Sequence, residues 1–310
     1  MQRFHPASRR ETLPDKALTT LNERRFMPPA KRKGVLHVAR VLGMDADARA
    51  ALTRLISLAE GRKTGVVGCF MPDDGVSARL AGLGIAENVD EADFFRFQRL
   101  VIPYGGISPR LRHDWEEVGH PLEDLTSPQV RRAQVALGLL RMEGAQGLVI
   151  GRHEDPESLA LAGGAGGARI LEDTTDTARL VFSPAFGVVS QTTLSPKRVE
   201  WLLQQLRFRY RDSRVTFLNT VSPAMAAREE ALEKLLVTCD RVVIVGRAGE
   251  ASCEALLETA MRRGKPAVIA AGQDELRPDD FAGNPRVALT AGAFAMDETI
   301  RGVAEALAGF

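Results

Sequence analysis

The stretch Gly147-Leu-Val-Ile-Gly-Arg-His-Glu-Asp-Pro-Glu157 carries the pattern that decides the fold. An apolar, strand-like run ends in a turn that is dense in titratable residues. A helix-like stretch at 128–142 precedes it, and similar alternation continues from Val35 to the C-terminus. Alternating strands and helices are typical of an α/β protein with parallel sheets. Because ligands bind where such strands end, the turn at 152–157 is a candidate site.

The same pattern predicts further elements on both sides of this stretch. Predicted strands cover 35–41, 64–70, 99–103, 147–151, 241–246 and 267–270, and predicted helices cover 47–60, 128–142, 222–236, 252–263 and 297–308. We divide the chain into an N-terminal arm at 1–33 and three αβ domains at 34–126, 127–221 and 222–310.

Bulk composition indicates a globular protein of the cytoplasm. The chain has 310 residues, of which 45% are apolar, enough for sizeable cores. A net charge of +1 provides no overall field for nucleic acid or membrane. No apolar run is long enough to cross a bilayer, and the N-terminus lacks the apolar core of a signal peptide. Three cysteines without a regular spacing predict neither a disulfide framework nor a zinc site.

The charge is unevenly distributed along the chain. Residues 1–34 contain nine Lys/Arg and three Asp/Glu, a local charge of +6, so the rest of the chain carries −5. This arm is either a docking element for a protein partner or a solvated tail. Few aromatic residues accompany the charges, which disfavours binding of single-stranded nucleic acid.

Four motifs, taken in this order, resemble the LytB/IspH family, the 4-hydroxy-3-methylbut-2-enyl diphosphate reductases of isoprenoid synthesis. The motifs are Asp124-Leu-Thr-Ser-Pro-Gln-Val, Ser190-Gln-Thr-Thr-Leu-Ser195, Thr220-Val-Ser-Pro-Ala-Met and Leu289-Thr-Ala-Gly-Ala293. The resemblance implies three similar αβ domains in a pseudo-threefold arrangement around a central cavity.

The resemblance also implies an iron–sulfur cluster held by three cysteines, and this chain lacks them. The matching positions are Met44, Ser127 and Ser222, whereas Cys69, Cys239 and Cys253 match none of them. Iron–sulfur clusters are held by thiolates, and neither a hydroxyl nor a thioether supplies that charge. We therefore expect no cluster, and family-type reductase activity is disfavoured.

The positions that hold the substrate diphosphate in this family are changed as well. Three family histidines fall at or beside Pro72/Asp73, Gly105 and Asp155, a Ser-Ser-Asn becomes Glu250-Ala251-Ser252, and a further serine becomes Phe294. Carboxylates in place of these donors repel a phosphate. Glu157 still matches the family's proton-delivering glutamate, and Thr192 and Thr193 remain.

Two functions from different classes remain open. The first is a cluster-free, non-redox enzyme that acts on a small polar or cationic molecule, with Glu157 as general acid or base. Asp155 is the second catalytic candidate, and the predicted substrate-binding residues are Met44, Ser127, Thr192, Thr193, Ser222, Glu250, Ser252 and Phe294. The alternative is a non-catalytic scaffold or regulatory subunit that docks through its basic arm. The diphosphate reductase is the residual interpretation.

Overall fold

Short apolar runs form the strands of this protein, and longer amphipathic stretches form its helices. The computed structural model describes residues 35–163, 167–283 and 285–310. The predicted basic arm at 1–33 lies outside the described residues.

The described residues form eleven strands and ten α-helices. The strands are β1 (Leu36–Val38), β2 (Thr64–Val66), β3 (Arg99–Ile102), β4 (Leu122–Asp124), β5 (Gln146–Ile150), β6 (Arg169–Leu171), β7 (Ala185–Ser190), β8 (Arg214–Phe217), β9 (Arg241–Val245), β10 (Ala267–Ala270) and β11 (Val287–Ala291). The helices are α1 (Ala46–Ala59), α2 (Asp74–Gly82), α3 (Pro109–Glu117), α4 (Pro128–Met142), α5 (Pro156–Ala162), α6 (Thr174–Ala178), α7 (Pro196–Arg209), α8 (Pro223–Leu236), α9 (Ala251–Arg262) and α10 (Asp297–Gly309). Each helix and strand predicted above is present, most of them with shifted ends. The strands β4, β6, β7, β8 and β11 were not predicted.

The strands form three separate parallel sheets. Their orders are β2-β3-β4, β6-β5-β7-β8 and β1-β11-β9-β10. Every recorded strand pair within them is parallel. Helices between successive strands carry the chain back, so each sheet with its helices is one αβ unit. We refer to these as the first, second and third unit in the order of the sheets above.

The first predicted strand belongs to a different unit from the one expected. β1 pairs with β11, with Leu36 opposite Val287 and Val38 opposite Leu289. The sequence grouping at 34–126 had placed this strand in the first unit, but its sheet is that of the third. A strand of three residues has no local signal for its partner, so contacts distant in the sequence decided this pairing.

Five α-helices begin with the same two-residue motif, an N-cap residue followed by proline. The pairs are Ser108-Pro109, Ser127-Pro128, Asp155-Pro156, Ser195-Pro196 and Ser222-Pro223. Proline fits the first helical position because the N–H that it lacks has no partner there. In four of these helices the capping oxygen accepts a backbone N–H of the first turn. Several candidate residues are thus placed by the starts of helices.

No helix in the described parts of the chain is both long enough and apolar enough to cross a membrane.

Candidate active site

A central cavity lies where the three αβ units meet. The first unit contributes Asp45, Ala48, Tyr104 and Gly105; the second Ser127, Gln129, Val130, Glu157, Thr192 and Thr193; and the third Ser222, Met225, Arg228, Ala293 and Phe294. Its volume is about 40 Å³. A cavity of about 150 Å³ accommodates benzene, so this one suits a ligand of a few heavy atoms.

Glu157 is the buried acid of this cavity. It follows Pro156 in the first turn of α5, and only 6% of its surface is exposed. Its Oε1 accepts the backbone N–H of Thr192 at 2.5 Å, and its Oε2 accepts the Thr192 hydroxyl at 3.0 Å. Thr192 lies in the loop after β7, so two strand ends of one sheet hold this pair together. Glu157 and Thr192, which the sequence analysis assigned to one site, are therefore in direct contact.

Burial shifts the proton equilibrium of Glu157. Desolvation raises the pKa of this carboxyl to about 8, and the charges of Asp155 and Glu250 act in the same direction. The two Thr192 hydrogen bonds oppose this rise but do not cancel it. Glu157 is therefore mostly protonated at neutral pH, which is the state required of a general acid.

Ser127 and Ser222 line the cavity and cap the N-termini of α4 and α8. The Ser127 Oγ accepts the N–H of Val130 at 3.1 Å, and the Ser222 Oγ accepts that of Ala224 at 3.2 Å. Both side chains are buried. A capping hydroxyl accepts through its oxygen and keeps its own proton to donate. The two serines therefore have a structural role that leaves a hydrogen-bond donor for a ligand.

Phe294 provides apolar surface on one side of the cavity, whereas Met44, predicted to bind the substrate, does not line it. Met44 is 5% exposed, belongs to the core of the first unit, and Phe294 packs against the same core. The Phe294 ring meets the Tyr104 ring edge-to-face, with 6.1 Å between centroids. Burial raises the pKa of the Tyr104 phenol, so it stays protonated at neutral pH. Two aromatic rings thus narrow the cavity.

Asp155 and Glu250 do not line the central cavity, contrary to the sequence prediction. They line a second, more open cleft of about 500 Å³, together with Cys69, Pro72, Ser77, Glu87, Asn88, Arg152, Glu154, Pro156, Arg247, Ala248 and Gly249. Both carboxylates cap their own helices. Asp155 accepts the N–H of Glu157 at 2.9 Å, and Glu250 accepts those of Ser252 and Cys253 at 2.9 and 3.0 Å. Capping turns each carboxylate back toward its own backbone.

Ser252 links Glu250 to the cavity wall. Its hydroxyl donates to the Glu250 carboxylate and accepts the backbone N–H of Ala293 at 2.7 Å. Ala293 lies on the cavity wall. Burial raises the pKa of Glu250 despite the helix-capping hydrogen bonds. Ser252 is therefore a positioning residue in this structure and not a contact of the central cavity.

Arg228 is the functional candidate that the sequence analysis missed. It lines the central cavity and is 2% exposed, and its Nη2 donates to the carbonyl of Gly43. Its Nε has no hydrogen-bond partner among the described residues. The signal was helix periodicity, because Arg228 lies three residues after buried Met225 and four before buried Leu232. A guanidinium in this wall attracts an anion and repels a cation.

The fold and the cavity define a class: a three-unit parallel α/β protein with a buried acid where its units meet. A family model described as LytB protein matches residues 48–308. The chain belongs to the LytB family.

Known relatives share this family and fold. The 4-hydroxy-3-methylbut-2-enyl diphosphate reductase of Methylibium petroleiphilum is 34% identical over 221 residues, 70% of this chain and 67% of that protein. The reductase of the same name from Treponema denticola is 28% identical over 279 residues, 85% of this chain and 95% of that protein. The solved E-1-hydroxy-2-methyl-but-2-enyl-4-diphosphate reductase of Plasmodium falciparum superposes with a TM-score of 0.79 at 20% identity, covering 88% of each chain. The predicted fold, with three αβ units around a central cavity, is confirmed.

The donor set at the three matched positions does not fit an iron–sulfur cluster. Ser127 and Ser222 hold backbone N–H groups as caps, and Met44 is packed in an apolar core. Cys239 and Cys253 are buried in the core of the third unit, and Cys69 lines the outer cleft. No cysteine of the described residues lines the central cavity. Thiolates hold such clusters, and serine and methionine side chains do not replace them.

Proposed function

We propose that this protein is a LytB-family enzyme that works without a cluster, as a non-redox acid–base catalyst on a small polar molecule in the central cavity. The observation that carries the proposal is Glu157, a buried carboxyl on the cavity wall whose pKa is raised to about 8. Catalytic acids are often made in this way, by burial and neighbouring like charge.

The chemistry assigned to Glu157 is a proton transfer at its carboxyl oxygen. The protonated carboxyl gives its proton to a basic atom of the bound molecule and becomes a carboxylate. The N–H and hydroxyl of Thr192 then stabilise that carboxylate through the two hydrogen bonds already in place. The reverse transfer restores the acid, so the residue serves as base in one direction and acid in the other.

The other cavity groups orient the molecule. Ser127 and Ser222 each have a hydroxyl proton to donate, and Tyr104 adds a phenol. Phe294 and Met225 supply apolar contact, and the pair of rings restricts the size of the molecule. We propose no cofactor for this chemistry.

The relatives are named as diphosphate reductases, so diphosphate reduction is the competing enzymatic function. It is disfavoured by the donor set at Met44, Ser127 and Ser222, and by carboxylates near the expected phosphate positions, Asp155 and Glu250. A carboxylate at either position repels a phosphate, although burial raises the pKa of both groups.

A non-catalytic scaffold is the second candidate, and a specific observation favours it. The Tyr104–Phe294 contact fills space, and about 40 Å³ remains. In this case residues 1–33 would bind the partner. Deletion of residues 1–33 would then abolish partner binding, whereas the enzyme would keep its ligand without this arm.

The first experiment separates the reductase from both other functions. The protein is purified under anaerobic conditions and reconstituted with iron and sulfide, beside the triple variant M44C/S127C/S222C as a matched control. We expect neither iron, sulfide nor reduction of 4-hydroxy-3-methylbut-2-enyl diphosphate in the natural protein. Stoichiometric iron with reductase activity in the natural chain overturns the proposal.

The second experiment separates the enzyme from the scaffold. Small polar metabolites are screened by thermal melting, and those that raise Tm are followed for turnover by mass spectrometry. Glu157→Gln should keep binding and lose turnover, because the amide preserves the shape and has no proton to exchange. Retained turnover in Glu157→Gln, or the absence of any turnover in the natural protein, contradicts the catalytic role.

A further inference from the structure

Arg228 is a buried cation without a counterion in contact. Among the described residues, no carboxylate oxygen lies within 4.0 Å of its guanidinium; Asp45 and Glu250 attract it from farther away. Its recorded hydrogen bond is to the neutral carbonyl of Gly43, and its Nε has no partner in the described chain. Buried charges in proteins are paired as a rule, so an isolated one indicates a missing anion.

A second side chain with a polar atom that has no hydrogen-bond partner among the described residues lines the same cavity from another unit. Gln129, in the first turn of α4, has a buried side-chain oxygen without a hydrogen-bond partner among the described residues. The oxygen and nitrogen of an amide are assigned from their surroundings, so this side chain can present either group. Arg228 and Gln129 therefore offer unmet polar atoms to one ligand from two units.

The other hydrogen-bond donors of the cavity and the orientation of three helices also favour a negatively charged ligand. The hydroxyls of Ser127 and Ser222 accept the N–H groups of their helices and retain their protons. Three helices of twelve or more residues, α1, α4 and α8, begin at capping residues that line the cavity. The positive ends of their dipoles meet there, which stabilises an anion. Asp45, the cap of α1, is the opposing charge in this wall.

We propose that the central cavity binds a small carboxylate, of the size of formate or acetate, through Arg228 and Gln129. This inference rests on the proposed function in that it names the ligand class of the same cavity. The volume of about 40 Å³ limits the ligand to a few heavy atoms. The carboxylate would lie beside Ser127 and Ser222, which line the same cavity, and would neutralise the guanidinium.

The test is calorimetric titration of the full chain with sodium formate and sodium acetate. Sodium chloride at equal ionic strength controls for screening, and guanidinium chloride at low concentration is the cation probe. We expect saturable binding of formate or acetate and none of guanidinium. Arg228→Met should weaken binding of the carboxylate at least tenfold. Arg132→Gln removes an exposed arginine of α4 and should leave binding unchanged.

A second variant keeps the inference testable if Arg228→Met does not fold. Arg228→Lys retains the charge but has no Nε–H, and it should also bind the carboxylate more weakly. Arg228→Met should melt at the same temperature as the natural protein or higher when carboxylate is absent, because it removes an uncompensated charge. Equal carboxylate affinity in the natural protein and both variants overturns the inference, as does binding of guanidinium instead.

The two proposals fail in different ways. Carboxylate binding that depends on Arg228, without turnover of any compound, supports this inference and refutes the catalytic function. Turnover of a neutral compound that depends on Glu157, without carboxylate binding, refutes this inference alone.

Discussion

Glu157→Gln should change how the stability of this protein depends on pH. The folded protein holds the pKa of Glu157 at about 8, against 4.5 for the unperturbed group. A raised carboxyl pKa means that the folded state binds the proton more tightly than the unfolded state does. Its contribution to stability is complete below pH 4.5, falls as pH rises, and is lost above about pH 8. Since each tenfold change in proton affinity is worth about 1.4 kcal/mol, the loss amounts to roughly 5 kcal/mol.

Glutamine mimics the protonated side chain at every pH. Its oxygen can accept the N–H of Thr192, and its amide can donate to the Thr192 hydroxyl. The variant should therefore match the natural protein near pH 5 and exceed its stability at pH 9, by several kcal/mol. The assay is urea unfolding at intervals from pH 5 to 9, with the difference in unfolding free energy taken at each pH.

Glu154→Gln is the matched control, because Glu154 is an exposed residue of the same turn. The unfolding free energy of this control should follow that of the natural protein at every pH of the series. Parallel curves for Glu157→Gln and the natural protein would refute the reasoning, since they would mean that Glu157 titrates alike in the folded and unfolded chains.

Further predictions follow from the helix caps, the aromatic wall and the cysteines. Ser127→Ala and Ser222→Ala should each lower the unfolding free energy by about 1 kcal/mol, measured by chemical denaturation. Ser→Asp at either position should retain the cap and the stability in the same assay. Phe294→Ala should cost roughly 2–3 kcal/mol, because the ring is only partly buried, and should enlarge the cavity so that longer ligands raise Tm. Cys253 is buried and its pKa is raised well above that of a free thiol, so iodoacetamide at pH 7.5 should label it only after unfolding. Labelling of folded protein would contradict this burial.

The sequence predicted the elements of the fold better than their partners. Helix 128–142 and strand 267–270 have the predicted bounds, because amphipathic period, proline and apolar runs are local signals. β1 was grouped with the first unit, yet it pairs with β11, about 250 residues away. A short strand pairs equally well with many others, so only the packed protein selects its neighbour.

The sequence also predicted the residues of the candidate site better than the directions of their side chains. The family resemblance assigned Glu157 and Thr192 to one site, and the structure joins them through two hydrogen bonds. The sequence also led to the expectation that Asp155 and Glu250 face the central cavity, whereas capping directs them to an outer cleft. Proline after Asp155 was a sequence signal for that cap, but the direction of a capped carboxylate depends on the surrounding units.

The sequence by itself determined the alternation of strands and helices, the Ser-Pro helix starts, and the residue types methionine at position 44 and serine at positions 127 and 222. These features depend on residue type and local spacing alone. Only the tertiary structure decided that Arg228 is a buried cation without a contacting counterion and that burial raises the pKa of Glu157. Both properties arise from the removal of water by three units packed together, and desolvation depends on neighbours that are far apart in the chain.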